Sequence, residues 1–179
     1  MAMTDAIMNW RRFLKRRNCS PHAVKNYLNI IKHFVIWLDM PVEEVTHATV
    51  SRYIEHLMRK RLAPKTVNCH LNGIRQFYHY LREEEGVAIP NPIRRSHIQK
   101  MSNPLPRHLR DEQVETFFNA IKGVRDRAMF MLMLRCGLRV EEVANLTIGV
   151  IDVRRRAILV EDGKGAKDRV VYMSDDALH

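Results

Sequence analysis

The sequence predicts a mainly α-helical protein with a small antiparallel β-hairpin sheet toward its C-terminal end. Three observations lead there. Apolar residues recur at helical spacing in four successive segments before residue 90. A stretch with four prolines and no periodicity, IPNPIRRSHIQKMSNPLPRHL (89–109), then interrupts the pattern. Past Leu146 the apolar period drops to the alternation of strands. The chain therefore divides into a helical domain at 1–90, a linker at 91–107 and a mixed domain at 108–179.

The first helix fits residues 4–17, with Ile7, Trp10, Phe13 and Leu14 on one side. Ser20-Pro21 starts the second, because the hydroxyl can cap the helix and proline suits the first position, where the missing N–H has no partner to lose. Val24, Tyr27, Leu28, Ile31, Phe34, Val35 and Leu38 follow at helical spacing. A third helix runs from Thr46 or His47 to Arg61. A fourth opens at Ala63-Pro64, carries Val67, Leu71, Ile74, Phe77, Tyr78 and Leu81, and frays at Glu83–Gly86. Asp111 begins a fifth. RDRAMFMLMLRCG (125–137) is an almost wholly apolar helix closed by Gly137, and RVEEVANL a short one after it. VIDV, AILVE and DRVVYM then alternate as strands, and SDDALH has the form of a capped helix start. The helix over 128–134 is apolar all round, so exposed apolar surface is expected there, with dimerisation or strand exchange through the hairpin as its consequence.

Lys and Arg number 30 against 20 Asp and Glu, a net charge of +10. Residues 1–100 hold 17 basic and 8 acidic side chains, whereas residues 101–179 hold 13 and 12. Positive charge concentrated in one half suits a surface that tracks phosphates, since each neutralised phosphate releases counterions. An idle basic surface or contact with acidic lipid would account for the charge alone equally well. No apolar run reaches the roughly 18 to 20 residues of a membrane span, and the N-terminal charges follow the apolar residues, the wrong order for a secretory signal. Cys19, Cys69 and Cys136 lie far apart, without the spacing of a metal site or a disulfide framework. These features point to a reduced cytoplasmic protein, with no metal and no cofactor expected. Met129, Met131 and Met133 read as core filling. Gly163-Lys164-Gly165 lacks the spacing and the Ser/Thr of a phosphate-binding P-loop.

The second and fourth helices resemble one another. SPHAVKNYLNIIKHFVIWL (20–38) aligns without gaps on APKTVNCHLNGIRQFYHYL (63–81). Shared apolar positions mean little between amphipathic helices; the polar faces are more telling. Lys25, Asn26, Asn29, Lys32 and His33 lie opposite the apolar stripe of the second. Lys65, Asn68, Asn72, Arg75, Gln76 and His79 do the same on the fourth. Neither face includes an acid, whereas a merely solvated face usually mixes signs. Such side chains donate to phosphates and read base edges in a major groove.

Two stretches resemble the tyrosine recombinase (phage integrase, Xer and Cre-like) family. RDRAMFMLMLRCGLRVEEVANL (125–146) is similar to the opening of its catalytic domain, with a GLRxxE turn, and GKGAKDRVVYM (163–173) to its β-hairpin. The run over 66–81 resembles its helical core-binding domain. The resemblance implies a four-helix SAM-like core-binding domain followed by a truncated α+β catalytic domain. It implies that Arg139 clamps phosphate, that Lys164 is the general acid for the departing 5′ oxygen, and that Glu142 holds the arginine in place. The chemistry fits those types. A guanidinium fork can meet two phosphate oxygens at once, and fixed cations stabilise the charge that builds up in phosphoryl transfer. From the residues alone, the lesser alternatives are that Arg139 caps the preceding helix and that Lys164 is an ordinary turn lysine, with Lys167 and Arg169 as the phosphate contacts.

The family's remaining residues, a His-x-x-Arg pair and a late nucleophilic tyrosine, have no counterpart before His179. The expectation is therefore a DNA-binding part of a site-specific recombinase that does not cleave DNA by itself. Its expected partners are a double-stranded recombination site and other protomers, a tetramer on two duplexes in the family, and its place is the nucleoid. A naturally short, non-catalytic accessory or decayed integrase is the alternative. A basic RNA-binding protein would share the charge but not the paired motifs.

Overall fold

The computed structural model describes residues 3–102, 104–106, 108–163 and 167–178. They form two compact units, the first ending at Pro104 and the second beginning at Leu105. The fold is mostly helical with one three-stranded antiparallel sheet, as the sequence predicts.

The first unit holds α1 (Met3–Arg16), α2 (Pro21–Trp37), α3 (His47–Arg59) and α4 (Pro64–Glu83). Their starts follow the local chemistry. The Ala23 N–H donates to Ser20 Oγ at 3.2 Å, with Pro21 in the first turn. Thr46 and Thr49 cap α3 reciprocally, each backbone N–H donating to the other's hydroxyl at 3.3 Å. The ends follow too. Arg61 takes a left-handed conformation (φ 57°), so α3 stops at Arg59, two residues short of the expected end. Trp10, Phe34, Tyr53, Phe77 and Tyr78 are fully buried between the helices. The Tyr78 hydroxyl has a buried partner, donating to Val42 O at 2.6 Å.

The proline-rich segment does not leave this unit at residue 91, where the linker is expected to start. Ile89, Pro92, Ile93 and His97 are buried. Asn91 Nδ2 donates to Arg75 O at 2.9 Å, and Pro92 O lies 2.7 Å from His47 Nδ1. Asn68 binds both sides of the Gln99 peptide, its Nδ2 donating to Gln99 O at 2.9 Å and its Oδ1 accepting from Gln99 N at 2.8 Å. Proline removes regular structure here, but side-chain amides replace the lost ladder partners. The chain is thus pinned as far as Gln99.

The second unit holds α5 (Asp111–Ala120), α6 (Val124–Cys136), α7 (Val140–Ala144), β1 (Ile151–Asp152), β2 (Ala157–Gly163), β3 (Lys167–Tyr172) and α8 (Asp175–Leu178). Gly137 closes α6 in the left-handed region (φ 65°), which glycine adopts without a Cβ clash. The sheet order is β1-β2-β3, with Ile158 opposite Val171 and Val160 opposite Arg169. Leu138, Val143, Ile158, Val160 and Met173 form its core, against which Met129, Leu132, Met133 and Cys136 of α6 pack. The other side of α6 exposes Phe130 and Leu134 to solvent, as its all-round apolar character predicts.

Candidate nucleic-acid interface

In the helical unit, Lys25, Asn26, Asn29 and Lys32 are all exposed along α2. Lys65, Asn72 and Gln76 are exposed along α4, and Arg75 is half-buried. The two helices meet where a Cβ built on Gly73 would lie 2.7 Å from Ile30 Cγ2. On the 20–38 and 63–81 alignment these are equivalent positions. Asn72 Nδ2 reaches the Tyr27 hydroxyl at 3.5 Å, so the polar row of α4 meets α2 at Tyr27. Two rows of cations and amides thus flank one helix contact. At the far end of α4 an acid approaches the row, where Glu83 lies 3.9 Å from His79.

Asn68 departs from the expected set. Its amide holds the Gln99 backbone and is half-buried, so it anchors the pinned segment rather than presenting a free edge. Sequence reasoning also did not bring together His33, His56, His70 and Lys60. These line a cleft of about 460 Å³ over Trp37 and Tyr53. The Tyr53 hydroxyl lies 2.9 Å from His70 Nδ1. Burial, then the neighbouring His33 and Lys60, push the His70 imidazole below its ordinary value. The three imidazoles come from three helices, so no spacing along the chain could have grouped them.

In the second unit, Arg139, Glu142 and Arg169 meet. Glu142 lies three residues after Arg139, so its carboxylate folds back over the start of α7. Glu142 Oε2 accepts from the Arg139 backbone N–H at 2.8 Å, and Oε1 from Arg139 Nη1 at 2.9 Å. Arg169 of β3 meets the same carboxylate fork to fork, Nη1 to Oε1 at 2.8 Å and Nη2 to Oε2 at 2.7 Å. The Glu142 side chain is only 9% exposed, against 33% for Arg169 and 55% for Arg139. Hydrogen bonds from Arg169, then from the Arg139 backbone, hold the Glu142 carboxyl well below the usual carboxylate range despite its burial. The same bond raises the Arg169 guanidinium.

Four donors therefore fill the four lone-pair positions of one carboxylate. Glu142 thus touches both Arg139 and Arg169, and the contact of Arg169 was not foreseen. The signal was present: Arg169 and Val171 share the inward phase of β3, which Met173 continues just past its end, and a cation on that phase needs a partner. Lys164 lies outside the described residues. Lys167 enters by its backbone alone, paired with Gly163.

Comparison with known proteins bears on both units. Residues 107–179 match the Phage integrase family, and residues 7–86 match the phage integrase N-terminal SAM-like domain. The chain is 33% identical over 164 residues to Tyrosine recombinase XerC of Oceanobacillus iheyensis, a match covering 87% of this chain and 53% of that protein. It is 31% identical over 170 residues to Tyrosine recombinase XerD of Pseudomonas putida, covering 90% and 56%. The chain thus spans about half the length of the curated relatives it matches. A lambda integrase (75-356) dimer bound to a COC′ core site is similar with a TM-score of 0.76 at 14% identity, covering 99% of this chain and 65% of that one. The Tn1549 transposon integrase in complex with transposon right end DNA gives 0.72 at 17%, covering 97% and 62%. At such identities the likeness establishes the fold.

Proposed function

Because the chain belongs to the phage integrase family of tyrosine recombinases, we propose that its two units hold duplex DNA at a recombination site. The observation that carries this reading is the pair of touching helices α2 and α4, which present exposed Lys25, Asn26, Asn29, Lys32, Lys65, Asn72 and Gln76 with Arg75 beside them. Ammonium and guanidinium groups neutralise phosphates, and the amides supply paired donors and acceptors for base edges. DNA-bound integrases share the fold of both units, which supports the same use here.

In the second unit Arg139 is the phosphate clamp. One of its five N–H donors goes to Glu142, and among the described residues the rest of the half-exposed guanidinium is available to an anion. Lys164 is the proposed general acid and Lys167 a further phosphate contact. Strand cleavage and rejoining through a tyrosine, by protomers assembled as a tetramer on two duplexes in the nucleoid, is the proposed activity of the whole protein.

The test is the salt dependence of duplex binding by Lys32→Glu with Arg75→Glu. Each lost phosphate contact lowers the slope of log K against log salt by about 0.9, so the pair should lower it by roughly 2. Fluorescence anisotropy on a duplex with a palindromic core reads the slope, and circular dichroism checks folding. An unchanged slope in a folded variant removes the two-helix interface, and equal binding to structured RNA removes duplex DNA as the partner.

A further inference from the structure

Arg139 and Arg169 reach the same carboxylate but are used differently. Arg169 points both terminal nitrogens at Glu142, in the fork-to-fork geometry that a guanidinium also uses for phosphate. It cannot offer that face to DNA while it holds the carboxylate. Arg139 gives Glu142 a single side-chain N–H and is the more exposed of the two. Within this trio one negative charge faces two positive ones, and among the described residues the guanidinium N–H groups not given to Glu142 are chiefly those of Arg139. The two guanidiniums come from separate elements: Arg139 opens α7, and Arg169 lies on β3, five residues along the chain from Lys164.

We propose that Arg169 is a positioning residue rather than a phosphate contact: its fork locks the β2–β3 hairpin onto Glu142 and so aims the open N–H groups of Arg139 at DNA phosphate. This rests on the reading of Arg139 as a phosphate clamp. Glu142 is then a hub. It caps α7 through the Arg139 backbone, orients the Arg139 side chain, and receives the hairpin through Arg169. The low exposure of its carboxylate matters, because a wet carboxylate would exchange these partners with water and fix neither. Lysine cannot replace Arg169 in this role, since an ammonium is a point charge without the planar two-donor face.

The experiment measures duplex affinity and salt slope for the wild type, Arg139→Ala, Arg169→Ala, Arg169→Lys and the double alanine variant. Arg139→Ala should lower the slope by about 1. Arg169→Ala and Arg169→Lys should both weaken binding, and the double alanine variant should bind as Arg139→Ala does. Additive losses, or a lysine variant that binds like the wild type, overturn the proposal, because either makes Arg169 a phosphate contact in its own right. The carboxyl chemical shift of Glu142, followed against pH by NMR, is the second readout. Arg169→Ala should move the Glu142 titration up toward ordinary carboxylates, and no movement overturns the clamp. If Arg139→Ala leaves the slope unchanged, the phosphate reading of Arg139 fails and the aiming role of Arg169 falls with it, while the titration still decides whether the hairpin is locked to Glu142.

Discussion

Replacing Gly73 by alanine sets two opposed effects against each other at the contact between α2 and α4. Alanine favours a helix interior over glycine by about 1 kcal/mol, which alone would stabilise the protein. The new Cβ would stand 2.7 Å from Ile30 Cγ2, 3.1 Å from Cδ1 and 3.2 Å from Cβ, and ordinary contact begins at 3.4 Å. The shortfall of 0.7 Å against the Ile30 methyl cannot be met by swinging a flexible end away. Cγ2 branches directly from Cβ, and isoleucine in a helix has one strongly preferred χ1. Ile30 is 4% exposed, so it has no free space to turn into. The helices must part, and overpacking of this kind costs about 1–3 kcal/mol. A stiff, buried contact belongs in the upper part of that range, which leaves a net loss of about 1–2 kcal/mol after the helix gain. For a unit of this size the melting temperature should fall by roughly 5–15 °C. Trp10 and Trp37 are the two tryptophans of the chain, and both lie in the first unit, so their fluorescence reads its melting alone. Ile30→Ala should cost less in the Gly73→Ala background than in the wild type. A melting temperature that rises or stays fixed in Gly73→Ala refutes the close approach of these helices.

Other outcomes follow from single contacts. Tyr78→Phe leaves the buried Val42 carbonyl without its donor and should lower stability by about 1–2 kcal/mol. The urea midpoint of tryptophan fluorescence should fall with no change in its slope. Asn68→Ala frees the Gln99 peptide and should speed exchange of the Gln99 amide hydrogen, with less effect on duplex affinity than Lys32→Glu. Glu142 is held below its ordinary value, so its stabilising contribution is complete above about pH 5 and is lost as pH falls below the unfolded value of about 4.3. The acid limb of stability of the second unit should be flatter in Glu142→Gln, and an identical limb would remove the carboxylate from that account.

The elements that could be read in the sequence are those fixed within one or two turns of chain. Ser20 and Thr46 cap the helices that follow them, and Gly137 ends α6, because cap geometry involves only neighbours. The apolar stripes of α2 and α4 placed Phe34 and Phe77 in the core for the same reason. The misreadings share a cause of the opposite kind. Four prolines between 89 and 109 signal the absence of helix and strand, which reads as free chain. The partners that pin this segment, Asn68 for Gln99 and His47 for Pro92, are 31 and 45 residues away. Asn68 itself sits on the polar phase of α4, where an amide that anchors a loop and one that meets solvent look alike. Arg169 is the intermediate case, since strand alternation marks it as inward while its partner Glu142 stands 27 residues earlier.

The internal likeness of α2 and α4 has a consequence at the place where it fails. Positions 29 and 72 are both Asn, and 31 and 74 both Ile, yet the equivalent positions between them hold Ile30 and Gly73. Two copies of isoleucine there would collide, and two glycines would leave a gap. One large and one absent side chain let equivalent points on the helices approach closely. That approach also brings Asn72, one of the polar row of α4, to Tyr27 of α2. The spacing of the proposed DNA-reading rows is therefore set by a residue that reads no DNA. A substitution at Gly73 that spreads the helices should weaken duplex binding although every cation remains in place, and binding unchanged in a folded Gly73→Ala protein would separate the rows from the contact beneath them.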